Sequence, residues 1–292
     1  MYKKDYYLCR KWKDGRMEIT MRENVEYLYE RLDTRWNSKQ IIQKNIHRSK
    51  IRKLLKEIKP NNALLDVCRG GSVDGILGVM AAKKGAKVTI CSPKEEYIEV
   101  IKRFATAQHV DVDNYVVCQP DELPFGDNSF DYVSSIHVLE HVEKYDKALD
   151  EIYRVTKKTA IIALPTCLNP CVWARIGGTD YYNFKWDSIP RMLYGMLKVL
   201  YAFVTFKEGV YENNEEKGKI IRHLQRFPWV VCMDLKRHKF LIDKYGADGF
   251  CFPWSKTLIK VQRVLDHFSY CPFIHNWGFG THYLVYKVNS NN

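Results

Sequence analysis

Residues 63–78, ALLDVCRGGSVDGILG, constrain the fold more than any other stretch: an apolar run ends at Asp66 and Val67, a turn carries Gly70 and Gly71, and a second apolar segment follows. Ala63, Leu64, Leu65 and Val67 form a nearly continuous apolar run of strand length, which suits a buried strand of a parallel sheet. Gly70 and Gly71 let the backbone turn sharply and approach a ligand with no Cβ in the way. Strand, glycine turn and helix in this order form the opening unit of doubly wound α/β folds. Alone, the unit is a common connection, so the flanking segments decide.

The flanking segments repeat the alternation. A helical segment reaches Lys84 and stops at Gly85, and AKVTIC (residues 86–91) reads as the next strand. Ser92 and Pro93 then start a helix with Glu95 and Glu96 in its first turn, where acids complement the helix dipole. YVVC (residues 115–118) is a third strand, and a helix running to Lys158 leads to the strand TAIIALP (residues 159–165). Strands alternating with helices imply a parallel, doubly wound sheet.

Residues 121–142 carry the most specific pattern, with Asp121, Leu123, Pro124, Phe125, Asp127, Ser129, Phe130, Asp131, Leu139, Glu140, His141 and Val142 in that order. In this run the chain resembles the class I S-adenosylmethionine-dependent methyltransferases, in particular the type 11-like group acting on small molecules, lipids and glycans. That group typically shows an acid, Leu-Pro-Phe, an Asp, Ser-Phe-Asp, an apolar strand and Leu-Glu-His-Val. The resemblance covers residues 39–166 and, more loosely, the C-terminal end. It implies an α/β fold: a Rossmann-like, seven-stranded, mostly parallel sheet with an antiparallel last strand, inside a three-layer α/β/α sandwich. It also implies S-adenosyl-L-methionine as cofactor and methyl transfer to oxygen or nitrogen of a small-molecule, lipid-linked or glycan acceptor.

Mapped residue by residue, the resemblance places the cofactor against Asp66, Cys68, Gly70, Gly71, Ser72, Cys91, Gln119, Asp121 and Leu123. The chain departs from the family here. The three glycine places of the loop hold Cys68, Gly70 and Ser72, with Gly71 adding freedom to the turn. The ribose-binding acid at the end of the second strand is replaced by Ile90 or Cys91, neither of which matches a carboxylate as acceptor. Gln119 can accept through its amide oxygen, whereas Pro120 has no N–H to give. These departures keep open an alternative: a catalytically inactive, methyltransferase-like module that binds an anionic partner.

His137, Glu140 and His141 are the substrate-side candidates, at the carboxyl edge of the fourth core strand. A histidine titrates near working pH, so either could take a proton from an acceptor hydroxyl or amine while Glu140 orients it. Capping and packing the following helix is an equal alternative. The same residues spell HxxEH, an inverted zinc-peptidase pattern, for which Glu215 or Glu216 would be a further ligand. The strand before it and the charged, loop-like setting of those glutamates argue against that reading.

A net charge of +12 favours an anionic partner. Nucleic acid is less favoured, because neither an Asn-Pro-Pro-Tyr-type nor a paired-cysteine catalytic signature is present. Nine cysteines without a CxxC pair and no visible secretory signal point to a reduced, cytoplasmic protein, with peripheral contact at the inner membrane face left open. No metal site is expected, since Cys167 and Cys171 lack a histidine at ligand spacing.

The chain divides into four parts. Residues 1–38 form a basic, aromatic segment with Tyr27, Tyr29 and Trp36 as lid candidates. Residues 39–165 are the cofactor-binding core, opening with an amphipathic helix over 39–58. Residues 166–233 are an insertion capping the substrate, with Trp173, Tyr181, Tyr182, Phe184 and Trp186 near its start. There the apolar segment 190–206 is expected as a buried lid helix in preference to an interfacial one, and 219–227 as a basic helical face. Arg222, Arg226, Lys236, Arg237 and Lys239 are candidate phosphate contacts. Residues 234–292 complete the sheet, with a crossover helix and sixth strand over 240–252, an added helix over 255–268 and a final antiparallel strand over 280–288.

Overall fold

Leu64 and Leu65 are neighbours in sequence yet pack into different cores, because successive side chains of a strand point to opposite faces. That alternation, repeated along the sheet, builds the molecule in three layers. The computed structural model describes residues 9–13, 16–20, 51, 53–69, 75–179, 186–216, 219–248, 261, 264–265, 267–272, 274–278 and 280–287. A hairpin of β1 (Cys9–Lys13) and β2 (Arg16–Thr20) stands apart. The core then runs β3 (Ala63–Val67), α1 (Ile76–Lys83), β4 (Lys87–Ser92), α2 (Glu95–Ala107), β5 (Asn114–Val117) and β6 (Phe130–Ile136). After a single 3₁₀ turn at Leu139–His141 come α3 (Tyr145–Val155) and β7 (Thr156–Pro165). Between β7 and the return to the sheet lie α4 (Pro170–Ile176), α5 (Ile189–Val204), β8 (Gly209–Glu216) and β9 (Lys219–Arg226). The chain returns to the sheet with α6 (Pro228–Arg237), β10 (Phe240–Asp248) and β11 (Gly280–Lys287).

Seven strands form one sheet in the order β10-β11-β7-β6-β3-β4-β5. Neighbours from β5 to β7 pair in parallel, and β11 lies antiparallel between β7 and β10, as the sequence led us to expect. On one face α1, α2 and the helical residues 51 and 53–57 cover Leu64, Val88, Ile90 and Ile161. On the other, α3 and α6 cover Leu65, Val133, Ala160, Ile162 and Val285. Helix α3 shows why: Tyr145, Ala148, Leu149, Ile152 and Val155 recur at helical spacing and are all buried.

Four expectations are corrected. Helix α3 ends at Val155, not Lys158, because Thr156 already pairs with Phe130 of β6 while its Oγ1 donates to the Ile152 carbonyl at 2.6 Å. Residues 219–227 are not a helical face: β9 pairs antiparallel with β8, and 209–216 are a strand, not a loop. Among its described side chains, Glu212 opposite His223 and Gln225 opposite Val210 are buried, three polar and one apolar, so no apolar alternation announced it. Residues 240–248 are strand throughout, and the crossover helix lies upstream in α6, started by Pro228 at its first turn.

The fourth correction concerns α5. It buries Gly195, Val199 and Ala202 and leaves its large apolar side chains exposed, so it is not a buried lid. Small residues face inward because α5 crosses α4 at backbone contact: a Cβ on Gly195 would lie 1.9 Å from the Trp173 carbonyl oxygen, and one on Gly177 equally close to that of Arg191. Tyr27, Tyr29, Trp36, Tyr181, Tyr182, Phe184 and most of 255–268 lie outside the described residues.

Candidate active site at the carboxyl edge of the sheet

Parallel strands release their loops on one side, so the turns after β3, β4, β5 and β6 meet at a common edge. There a cleft of ≈ 370 Å³ opens, bordered by Arg69, Pro93, Gln119, Asp121, His141 and Lys144 among others. Its size lies in the range of small-molecule sites.

The cofactor candidates fall into four groups. Asp66, buried in β3, accepts from the Gly78 N–H at 2.9 Å and from the Ser134 hydroxyl, which ties β3 to α1 and to β6. Cys68 and Cys91 are buried at the strand ends, where the Cys68 N–H donates to the Cys91 carbonyl at 2.8 Å. A thiol hydrogen bond to Cys118 and burial raise the Cys91 thiol well above its ordinary range, and the same bond lowers that of Cys118. Gly70, Gly71 and Ser72 lie outside the described residues.

Gln119 and Asp121 border the cleft, Asp121 with a carboxylate oxygen 3.6 Å from the Lys144 ammonium. Leu123 is buried below them. Its N–H donates to Glu151 at 2.8 Å and its carbonyl accepts from Arg154 at 2.9 Å. Arg154 also reaches the Phe125 carbonyl at 2.7 Å and Asp127 at 2.9 Å, so one guanidinium fork gathers the whole Leu-Pro-Phe-x-Asp turn.

The substrate-side candidates come together. His137 has φ 56 and donates its N–H to the Ala163 carbonyl at 2.8 Å, a strained turn at the exit of β6. One Glu140 oxygen lies 3.4 Å from His137 Nδ1 and 3.8 Å from His141 Nε2. His141 Nδ1 shares a hydrogen bond of 2.7 Å with Nε2 of His223, the rings edge-on with centroids 4.0 Å apart. Burial lowers His141 to about 3, helped by His223, Arg69 and His137 and opposed by Glu140.

Sequence reasoning missed His223 and Arg69. His223 lies 82 residues from His141, and β9 carries it to the sheet edge beside it. Behind it Glu212 bonds Gln225 at 2.7 Å and pairs with Arg175, while burial raises its carboxyl. Residues 210–225 carry no alternation of polar and apolar residues that would have marked the hairpin. Arg226, a phosphate candidate, instead packs over the Tyr145 ring at 3.7 Å and pairs with Asp234, and Arg237 pairs with Asp146 and Asp234. Lys236 and Lys239 are exposed, and the Arg222 side chain lies outside the described residues. Among the described residues no group of three or more His, Cys, Asp or Glu is arranged to hold a metal ion.

A family model described as "Methyltransferase domain" matches residues 65–164. The ubiquinone/menaquinone biosynthesis C-methyltransferase UbiE of Cereibacter sphaeroides is 30% identical over 139 residues, which make up 46% of this chain and 53% of that protein. The demethylmenaquinone methyltransferase of Corynebacterium glutamicum is 24% identical over 190 residues, 65% of this chain and 76% of that one. The chain thus spans about half the length of the first of these curated relatives. Among solved structures, magnesium protoporphyrin IX methyltransferase (ChlM) from Synechocystis PCC 6803 with bound SAH superposes with a TM-score of 0.52 at 12% identity, covering 90% of this chain and 92% of that one. At that identity the likeness speaks for the fold alone.

Proposed function

We propose, for a chain whose residues 65–164 belong to the class I S-adenosylmethionine-dependent methyltransferases, that the cleft holds S-adenosyl-L-methionine and that His141 serves a small-molecule acceptor. When bound, the cofactor supplies an electrophilic methyl group on a sulfonium. The residues present suit it: the Gln119 amide oxygen and the Asp121 carboxylate are acceptors for amino and hydroxyl groups, and Arg69 offers a cation to a carboxylate.

The observation that carries the reading is the position of His141, on the cleft wall with Nδ1 tied to His223 and Nε2 beside Glu140. In the tautomer with Nδ1–H donated to His223, the Nε2 lone pair can take the acceptor's proton, and Glu140 stabilises the imidazolium that results. Burial keeps the ring neutral at working pH, so the lone pair is available. A weak base suffices for a hydroxyl acceptor, whose oxygen becomes strongly acidic as it gains the methyl group; an amine product is a far weaker acid and releases its proton to water. Positioning supplies the remainder of the rate.

The acceptor in this reading carries a hydroxyl or amine on a small or lipid-linked molecule. The names of the relatives, a ubiquinone/menaquinone biosynthesis C-methyltransferase and a demethylmenaquinone methyltransferase, support a small-molecule acceptor ahead of a glycan and keep a ring carbon beside oxygen and nitrogen as the methylated atom. Nucleic acid fits less well, since Asp121, Glu122 and Glu143 line the same cleft as Arg69 and Lys144.

Calorimetric titration with S-adenosylmethionine and S-adenosylhomocysteine tests the cofactor site, and transfer of labelled methyl to a panel of hydroxylated ring compounds tests the acceptor. Saturable binding that Gly70→Val abolishes is the expected result. His141→Gln should leave S-adenosylhomocysteine affinity intact while lowering turnover roughly 10²–10⁴-fold. Absence of binding at millimolar ligand by folded protein would refute the reading and leave the inactive module, for which the Cys91 position, without a carboxylate, already speaks.

A further inference from the structure

Helix α5 is amphipathic in an unusual sense, its polar face replaced by a second apolar one. Its 16 residues bury a stripe of small side chains, Gly195, Val199 and Ala202, against α4 and the hairpin. The opposite side exposes Leu193, Tyr194, Leu197, Leu200, Tyr201 and Val204, each 44–59% accessible. At 3.6 residues per turn these six fall within an arc of about 120° that holds no charged residue. Trp186 before the helix and Phe206 after it are still more exposed, at 88% and 96%. Soluble monomers rarely leave such a continuous apolar band uncovered.

Charge at the border identifies the occupant. Lys198 lies over the Tyr194 ring at 4.4 Å and Lys207 over the Tyr201 ring at 4.9 Å, and Arg191 is exposed on the same flank. Residues 189–207 contain no Asp or Glu. A second copy of the chain docking through this face about a twofold axis would double the cations Arg191, Lys198 and Lys207 on it, with acids only at Asp187 and Glu208, at the two ends of the segment 186–208. An anionic bilayer supplies what the face lacks: apolar depth under the leucines, an interfacial layer for Tyr and Trp, and phosphates for the ammonium and guanidinium groups. Among the described residues no helix is long and apolar enough to cross a membrane, so contact of α5 with a bilayer would place it in the surface plane.

We propose that the exposed face of α5, from Leu193 to Val204 with Trp186 and Phe206 at its ends, docks the protein on an anionic lipid bilayer. The inference does not depend on methyl transfer and would stand for an inactive module as well.

Vesicle flotation of the full chain tests it, with phosphatidylcholine alone and with added phosphatidylglycerol. The wild type should float with the anionic vesicles. The double variant Leu197→Glu/Leu200→Glu, changed only at exposed positions, should keep the wild-type melting temperature and lose about tenfold or more in vesicle affinity. Lys198→Gln/Lys207→Gln should weaken binding to anionic vesicles and reduce its salt dependence. Failure of the wild type to float with either composition would overturn the proposal, as would equal flotation of the leucine variant. A wild-type dimer in light scattering that the leucine variant converts to monomer would also overturn it, by assigning the face to a second copy.

Discussion

Acidification is the perturbation that reads the histidine pair most directly. His141 titrates at about 3 in the folded protein, against roughly 6.5 for an unfolded histidine. The folded value is depressed, so the unfolded chain binds the extra proton first. Stability from this group is therefore complete above about pH 6.5 and declines as pH falls toward about 3. Evaluating the linkage between pH 7.5 and pH 5 gives a loss of about 2 kcal/mol. For a chain of 292 residues that corresponds to a fall of roughly 3 °C in melting temperature. Other groups also titrate in this window, so the measurement is a difference: melting curves of wild type and His141→Gln at both pH values. The variant has no imidazole to protonate and should show a pH-dependent fall smaller by about 2 kcal/mol. Equal slopes for the two proteins would refute the burial argument, and with it the neutral imidazole on which the proposed proton acceptor depends.

Two further outcomes follow from packing and thiol chemistry. Gly195→Ala places a Cβ against the Trp173 backbone carbonyl, which cannot yield as a side chain would; it should cost about 3 kcal/mol by thermal unfolding, and an unchanged melt would show that the α4–α5 crossing is looser than described. Among the described cysteines, Cys118 should be alkylated first in peptide mapping with iodoacetamide, ahead of Cys167, whose thiol burial raises strongly, and of Cys232, raised to about 11 by burial. Faster labelling of Cys232 would contradict the Cys91–Cys118 hydrogen bond.

Much of the fold was legible because it rests on local signals. The apolar run 63–67, the helix stop at Gly85 and the acids at 95 and 96 each marked an element boundary close to that observed. The Asp121–Val142 pattern located the candidate site, and the structure shows part of its physical basis in the Arg154 fork under Leu123 and Phe125. The insertion was harder to read. Its hairpin buries Glu212, His223 and Gln225, and α5 exposes its leucines, so hydropathy pointed the wrong way in both places.

By itself, then, the sequence determined the order of strands and helices from β3 to β7, their parallel pairing and the neighbourhood of His137, Glu140 and His141, since each depends on spacing within one element or one turn. Only the tertiary structure decided that His223 meets His141 across 82 residues, that Asp66 is held by Gly78 and Ser134, and that α5 turns its large side chains outward. The physical reason is common to all three. A polar group is buried, or an apolar one exposed, according to the partner that packing brings to it, and that partner lies far away in the chain.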